Sequence, residues 1–286
     1  MIRTTLAFLA LLVLSACTPG PQGRLPSDAL AYSRLGELRI DSQGPLRLDV
    51  SFPIANISIT QRIGVDEIAI DFQSNAASRD LLDDIGLDAR WRADGTLHVR
   101  ARGPEGSGSR RWAITRVDLL VPNTQHVSVS TETGRVLISG IGPDGAGDFI
   151  SMRPHRVVTS SGPITLTDMN GAITAQTSAG NITIEGGTGD LVVSSAAGDI
   201  DVQRHTGLIN ARSTSGDLSI EDATAPFTLK THSGDINAAV GRRFAGRVFT
   251  DTASGRVENP LKAESPADAA SSATTMSGDI TIVPSG

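Results

Sequence analysis

Asn181, Asp199, Asp217 and Asp235 recur every eighteen residues, each directly after a glycine. Side chains at one fixed repeat position stack on one edge of a regular fold. Carboxylates held about 5 Å apart repel, so such a stack favours a bound cation or shared protons. Asp and Asn after Gly also accept hydrogen bonds from the backbone of their own turn, which is the simpler reading of these four residues. A carbohydrate-cleaving site would need clustered carboxylates. Asp199, Asp201, Asp217 and His205 are the one acidic and imidazole grouping that the sequence offers for it. No Ser-His-Asp order, His-rich metal spacing or phosphate-cradling loop occurs in its required context. His98, His126, His155, His205 and His232 are scattered and read as surface or turn residues. Calcium-binding nonapeptide repeats follow Gly-Gly-x-Gly-x-Asp. The segment Gly186-Gly187-Thr188-Gly189-Asp190-Leu191 misplaces that aspartate by one and stands alone, which excludes the class. No catalytic residue, metal ligand or cofactor is therefore expected.

Cys17 is the other residue whose type and place carry chemistry. It is the only cysteine, so no internal disulfide can form. Upstream lie Arg3 and an apolar run from Leu6 to Leu14 that is too short to span a bilayer. Residues 1–16 read as a signal peptide. Leu14-Ser15-Ala16-Cys17 resembles the bacterial lipobox, which implies that Cys17 becomes the lipid-bearing first residue, carrying palmitate-type chains. Several acyl chains anchor stably, at about 0.8 kcal/mol per buried methylene. Thr18 follows where an aspartate would retain the protein at the inner membrane, so the resemblance implies the outer membrane, at its periplasmic face or the cell surface. Residues 17–29, with Pro19, Pro21 and Pro26, read as a semi-extended tether reaching roughly 30 Å.

The elements that would position the aspartates are set by a nine-residue period. Gly162, Gly171, Gly180, Gly189, Gly198, Gly207, Gly216 and Gly234 fall on one grid, with Ala225 in the remaining place. Two residues after each grid point stands a large apolar side chain, from Ile164 through Ile200 and Phe227 to Ile236. Four residues after, the series runs Leu166, Ala175, Ile184, Val193, Val202, Ala211, Ile220, Leu229, Ala238. Each unit is thus a short strand with alternate residues inward. Successive units differ in their flanks, so the true repeat is eighteen residues. Thr177, Ser195, Ser213 and Thr231 form a second, smaller buried column. The fold class is all-β: a single-stranded β-solenoid, or β-helix, whose 18-residue coils contain two 9-residue units and stack about 4.8 Å apart.

Residues 131–286 read as the regular solenoid, ending in a strand that closes the C-terminal end. Residues 30–130 read as an irregular β part that caps it. Strands are expected around Leu46–Val50, Asn56–Ile59, Glu67–Phe72, Thr96–Val99 and Val117–Pro122, with a short helix between Ser78 and Leu87. Trp91 and Trp112 are expected to be buried there, covering the solenoid end. Gly103–Arg111 reads as a hairpin tip or loop, and Ala263–Ser272 as a polar insertion.

The irregular strand region, Val121-Pro122, the Gly134–Ile138 unit and the repeated Ser-Gly-Asp-Ile/Leu units together resemble the DUF4097 family, from about Leu38 to Val283. That resemblance implies an adhesin-like, β-strand-repeat lipoprotein of the bacterial envelope, and it brings no catalytic residue. Residues 159–240 hold nine acidic and three basic side chains, a balance of −6 that equals the net charge of the whole chain. An acidic shaft lacks the basic footprint that nucleic acid or anionic lipid requires. The expected function is a lipid-anchored, non-catalytic binding surface for an unidentified envelope protein or glycan. Its alternatives are an envelope scaffold that docks and signals, and a carbohydrate-active β-helix enzyme. For binding, the stacked Asn181, Asp199, Asp217 and Asp235 are the candidate residues. A second candidate is the outward column of Thr165, Thr183, Asp201 and Ser219 with Thr174, Asn210 and Thr228.

Overall fold

Alternation of apolar and polar residues every second position makes each unit a strand with one dry face, and two such strands per coil can bury those faces only against each other. In the computed structural model they do so. It describes residues 31–104, 111–142, 153–263 and 270–284. The signal peptide, Cys17, the tether, and most of the 103–111 and 263–272 segments lie outside the described residues.

In chain order the elements are β1 (Tyr32–Asp41), β2 (Leu46–Ile54), β3 (Asn56–Gln61), β4 (Glu67–Ala76), the helix α1 (Arg79–Asp84), β5 (Gly86–Trp91), β6 (Thr96–Arg102), β7 (Trp112–Val121), β8 (Thr124–Thr133) and β9 (Val136–Ser139). Paired strands of successive coils follow: β10 (His155–Ser161) and β11 (Ile164–Thr167), β12 (Ile173–Ala179) and β13 (Ile182–Glu185), β14 (Leu191–Ala197) and β15 (Ile200–Gln203), β16 (Ile209–Ser215) and β17 (Leu218–Ala223), β18 (Phe227–Lys230) and β19 (Ile236–Val240). The chain ends with β20 (Val248–Ser254), β21 (Val257–Glu258), β22 (Ser271–Ser277) and β23 (Ile280–Pro284).

Two sheets run the length of the molecule. One is ordered β1-β4-β7-β3-β9-β11-β13-β15-β17-β19-β23-β21, the other β20-β22-β18-β16-β14-β12-β10-β8-β2-β6-β5. Pairing is parallel throughout except where β1 and β4 extend the first sheet beyond β7 and β5 extends the second beyond β6. Register is strict. Val117, Ile57, Val136, Ile164, Ile182, Ile200, Leu218, Ile236 and Ile280 form one inward column along the axis, all buried. Thr177, Ser195, Ser213 and Thr231 are buried as expected, and their hydroxyls donate to the carbonyls of Gly162, Gly180, Gly198 and Gly216 on the preceding coil. A buried hydroxyl with its donor satisfied carries little desolvation cost.

The two sheets run through the whole described chain, and its two ends are interleaved. The boundary at 130/131 falls inside a coil, because β8 and β9 are the two strands of one turn of the solenoid and β2, β3, β6 and β7 belong to the same sheets. The irregularity upstream lies in the connections. The last strand is not the terminal one: β23 sits between β19 and β21, so the chain reaches its end coil with β20 and β21 and then returns to fill the place it skipped. The N-terminal end is interleaved in the same way, with β2 and β3 laid between the later coils β6/β7 and β8/β9. Trp91 and Trp112 are half-buried against the core at that end.

Glycine is required at one corner of each coil from β8/β9 onward; between β2 and β3 Ala55 holds that place. Gly134, Gly162, Gly180, Gly198, Gly216, Gly234, Gly278 and Gly255 hold φ between 135° and 155° or close to it, with 158° at Gly180. A Cβ on Gly198 would lie 2.2 Å from the carbonyl oxygen of Gly180 on the coil before it. No side chain fits. Gly198→Ala is expected to cost more than about 2 kcal/mol, combining backbone strain with the displaced coil. Gly64→Ala, at φ 80° with nothing within 4 Å, should cost only about 1 kcal/mol. Urea midpoints of the two variants check the contrast.

Candidate functional site

The glycine corner leaves one amide per coil in need of an acceptor. Each coil's glycine N–H donates to the next coil, as from Gly198 to the Ser215 carbonyl at 3.0 Å, and the ladder resumes with Ile200 to the Asp217 carbonyl at 2.9 Å. The residue between them donates in the opposite direction, to a side chain. Asp199 N–H donates to Asn181 Oδ1 at 3.0 Å, Asp217 N–H to Asp199 Oδ1 at 3.0 Å, and Asp235 N–H to Asp217 Oδ1 at 2.8 Å. Asp279 N–H continues onto Asp235 Oδ1 at 2.8 Å, and Arg256 N–H onto Asp279 Oδ1 at 2.7 Å. An isolated earlier link joins Arg135 N–H to Asn56 Oδ1 at 2.9 Å. Where the following coil offers Pro163, which has no N–H, position 135 carries an arginine and no acceptor.

The four predicted residues are therefore brought together in one exposed corner, as expected, and Asp279 joins them. Their bonding differs from expectation. The side chains cap the next coil's backbone and not their own turn, because parallel stacking puts the neighbouring amide directly above the carboxylate. Among the described residues no group of three or more His, Cys, Asp or Glu side chains is arranged to hold a metal ion. The outward threonine column lies where the alternation placed it, with Thr165, Thr183, Asp201 and Ser219 in register on one sheet.

His205 is not brought to Asp199 and Asp217. It lies at the opposite end of β15, on the order of 15 to 20 Å along the chain from Asp199. Its ring is buried, with Nε2 2.7 Å from the Gly189 carbonyl oxygen and Nδ1 3.2 Å from that of Gly186. Asp201 instead accepts from Gln203 Nε2 at 2.8 Å.

His155 also departs from the surface reading. It occupies the inward column between Val127 and Ile173, 1% exposed. Val127 N–H donates to its Nδ1 at 3.2 Å, so the proton sits on Nε2, which faces the Asn170 carbonyl at 3.1 Å. His126 stacks on it with ring centroids 6.2 Å apart. Burial, aided by the neighbouring His126, pushes the His155 ring down to about 4, and burial lowers His126 as well. The missed signal was one more grid step: nine residues before Ile164 stands His155, in the inward place.

Two register-matched parallel sheets wound as a single-stranded solenoid define the class of protein. The DUF4097 family, described as Toastrack DUF4097, matches residues 54–283, and the chain belongs to it. No curated protein matches the sequence. Among solved structures, a candidate adhesin from Bacteroides fragilis is similar at 13% identity over 88% of this chain and 97% of its own, with a TM-score of 0.49. A candidate adhesin from Parabacteroides merdae shows 11% identity over 88% and 96%, with a TM-score of 0.32. A candidate cell adhesion protein from Clostridium sporogenes shows 9% identity over 89% and 100%, with a TM-score of 0.24.

Asp217→Ala should lower stability by about 1 kcal/mol by removing the acceptor of Asp235 N–H, whereas Asp217→Asn keeps the acceptor, relieves like charge and should be no less stable than wild type. Melting temperatures of both, with and without EDTA, check this; the chelator should change neither. For His155, both folded and unfolded chains are neutral above the ordinary value of 6.5. Below it the unfolded chain gains a proton that the native ring refuses, so stability falls from pH 6.5 to about 4 and then levels, by about 3 kcal/mol in all. Urea unfolding at pH 7 and 4.5 should show a smaller loss for His155→Gln than for wild type.

Proposed function

We propose that the protein is a lipid-anchored cell-envelope solenoid that presents a non-catalytic, adhesin-like binding surface to a protein or glycan partner. The observation that carries the reading is the pair of continuous outer faces. Ten coils in register, about 43 Å of shaft at ordinary strand spacing, repeat polar side chains such as Thr165, Thr183 and Ser219 at fixed intervals. An inextensible, preorganised surface binds without an ordering cost, and a tandem array offers the same contact several times.

Support also comes from where the reactive side chains go. The corner aspartates accept backbone hydrogen bonds, Asp201 holds Gln203, and His155 and His205 are enclosed by backbone. Arg204 forms an ion pair with Glu185. These groups serve the stacking of coils. Cys17 and the proline-bearing residues 17–29 supply the anchor and reach in this reading, with the outer membrane as its site.

The test is fractionation and crosslinking of the full-length protein in its native envelope beside a Cys17→Ala form. Wild type should label with radioactive palmitate, sediment with outer membranes and crosslink to a defined partner. The Cys17→Ala form should lose the label and the sedimentation. Equal sedimentation of the two forms would overturn the anchor, and turnover of envelope polysaccharide by the purified protein would overturn the non-catalytic reading.

A further inference from the structure

The shaft's three basic residues between 159 and 240 are not alike in their surroundings. Arg204 is paired with Glu185. Arg212 and Lys230 stand side by side in register on the outer face of β16 and β18, and among the described residues neither side chain makes a hydrogen bond or an ion pair. Two cations one strand spacing apart repel, and nothing in their own column neutralises them: Ser194 precedes Arg212, Thr274 follows Lys230, and a carboxylate, Asp251, comes only on the next strand.

A second outward column runs parallel to this one, two residues along each strand. It consists of Thr214, His232 and Met276, aligned through the neighbouring bridges of Ser215 to Ser233 and Ser233 to Ser277. Between the two columns lies an open groove of about 460 Å³. Its floor is the backbone above Ser195, Ser213 and Thr231, whose hydroxyls already donate to corner glycine carbonyls. Beyond Thr214 and His232, around the glycine corner, come the ladder carboxylates, about 10 Å or more from the cations along the chain. The groove is thus graded across its width: two free cations on one side, a hydroxyl, an imidazole and a thioether on the other, carboxylates past the rim.

We propose that this groove binds an acidic sugar residue, with its oxyanion, phosphate or carboxylate, on Arg212 and Lys230, and its hydroxyl-bearing ring across Thr214, His232 and Met276. The inference rests on the binding-surface reading above and names its ligand class. An oxyanion bridging two adjacent cations removes their repulsion and gains charge-assisted hydrogen bonds. Sugar hydroxyls donate to His232, Thr214 and Ser194, while Met276, 55% exposed, offers an apolar edge to ring C–H groups. The ladder carboxylates beyond the rim repel a polyanion with charge along its whole length, which disfavours nucleic acid. The groove is open and holds no Phe, Tyr or Trp side chain, which disfavours a protein anchor.

The test uses the full-length protein in non-ionic detergent, labelled with nitrogen-15 at arginine and histidine, titrated at low salt with glucose 6-phosphate, glucuronate or glucose. One or both acidic sugars should give saturable shifts at Arg212 and His232, with glucose giving none; which of the two responds identifies the oxyanion. Arg212→Gln/Lys230→Gln should bind about tenfold more weakly or worse. Both positions are exposed, so the double variant should melt no lower than wild type, and Arg156→Gln on the same sheet should bind as wild type does. Absence of saturable shifts with both acids, or equal shifts in the double variant, would overturn the groove. If the double variant in the envelope still crosslinks to the wild-type partner, the groove inference fails while the binding-surface reading stands.

Discussion

Parallel strands stack at a spacing fixed by the backbone hydrogen bond, about 4.8 Å, and every other feature of this protein follows from the need to turn a corner without exceeding it. At the corner, the carbonyl oxygen of one coil points at the α-carbon of the next. A Cβ there would lie about 2 Å from that oxygen at Gly134, Gly162, Gly180, Gly198, Gly216 and Gly234. Glycine is therefore a condition of contact and not merely a flexible residue. With it, the inward columns come into van der Waals register, and isoleucine can sit on isoleucine without a larger side chain. The scarcity of aromatics, 3% of residues, expresses the same constraint, because a narrow interior at strand spacing is filled by branched aliphatics.

The corner also sets the polar chemistry. A turn this tight takes one amide out of the backbone ladder in each coil, and the side chain that replaces the missing carbonyl must come from the coil below. A short acceptor immediately after the glycine has the right reach, which explains why Asn181, Asp199, Asp217, Asp235 and Asp279 hold that place on every coil with another coil's amide to cap, while the outermost coil carries Arg256. The carboxylates repel one another along the axis, yet each is a stronger acceptor for being charged. Because Asn181 does the same work at the same distance, the negative charge is not needed for the hydrogen bond, only tolerated by an exposed corner where water and salt screen it.

How far the sequence speaks for the structure follows from these two constraints. The strands between 162 and 240, their inward residues and the corner stack were legible because an exact period leaves one way to superpose the units. The direction of the aspartate hydrogen bonds was not, since a one-dimensional pattern says that residues align but not whether a side chain bonds within its coil or across. His155 escaped because it stands one unit before the array, in an inward place that elsewhere holds an aliphatic residue. The interleaved ends were hidden for a different reason. Gly255 and Gly278 each repeat the corner motif, and the order in which two equivalent coils stack depends on which exposed edge each can cover, a tertiary matter. Placing β20 and β21 outermost gives the sheet an edge strand of two residues followed by Pro260, with Asn259 and Leu261 bonded across Val248 of the other edge. Short, partly covered edges resist pairing with another chain. At the other end β1, β4 and β5 turn antiparallel, with α1 between β4 and β5, Trp91 on β5 and Trp112 on β7 beside β4, which achieves the same protection by covering.

Once edges and corners are committed to stacking, only the outward columns are left to vary. A substitution there changes no inward contact, so each coil can carry a different outer residue without altering the fold. The arrangement of Arg212 and Lys230 uses that freedom in a setting where it has the greatest electrostatic effect. On a shaft whose basic and acidic residues sum to −6 between 159 and 240, two uncompensated cations create a local reversal of sign beside a line of carboxylates. A ligand with a single negative end would be drawn to one side of the groove, while a ligand charged along its length would also meet the ladder carboxylates. Orientation therefore comes from the gradient across two adjacent columns and not from an enclosed pocket, which is a form of selectivity that an open solenoid face can supply.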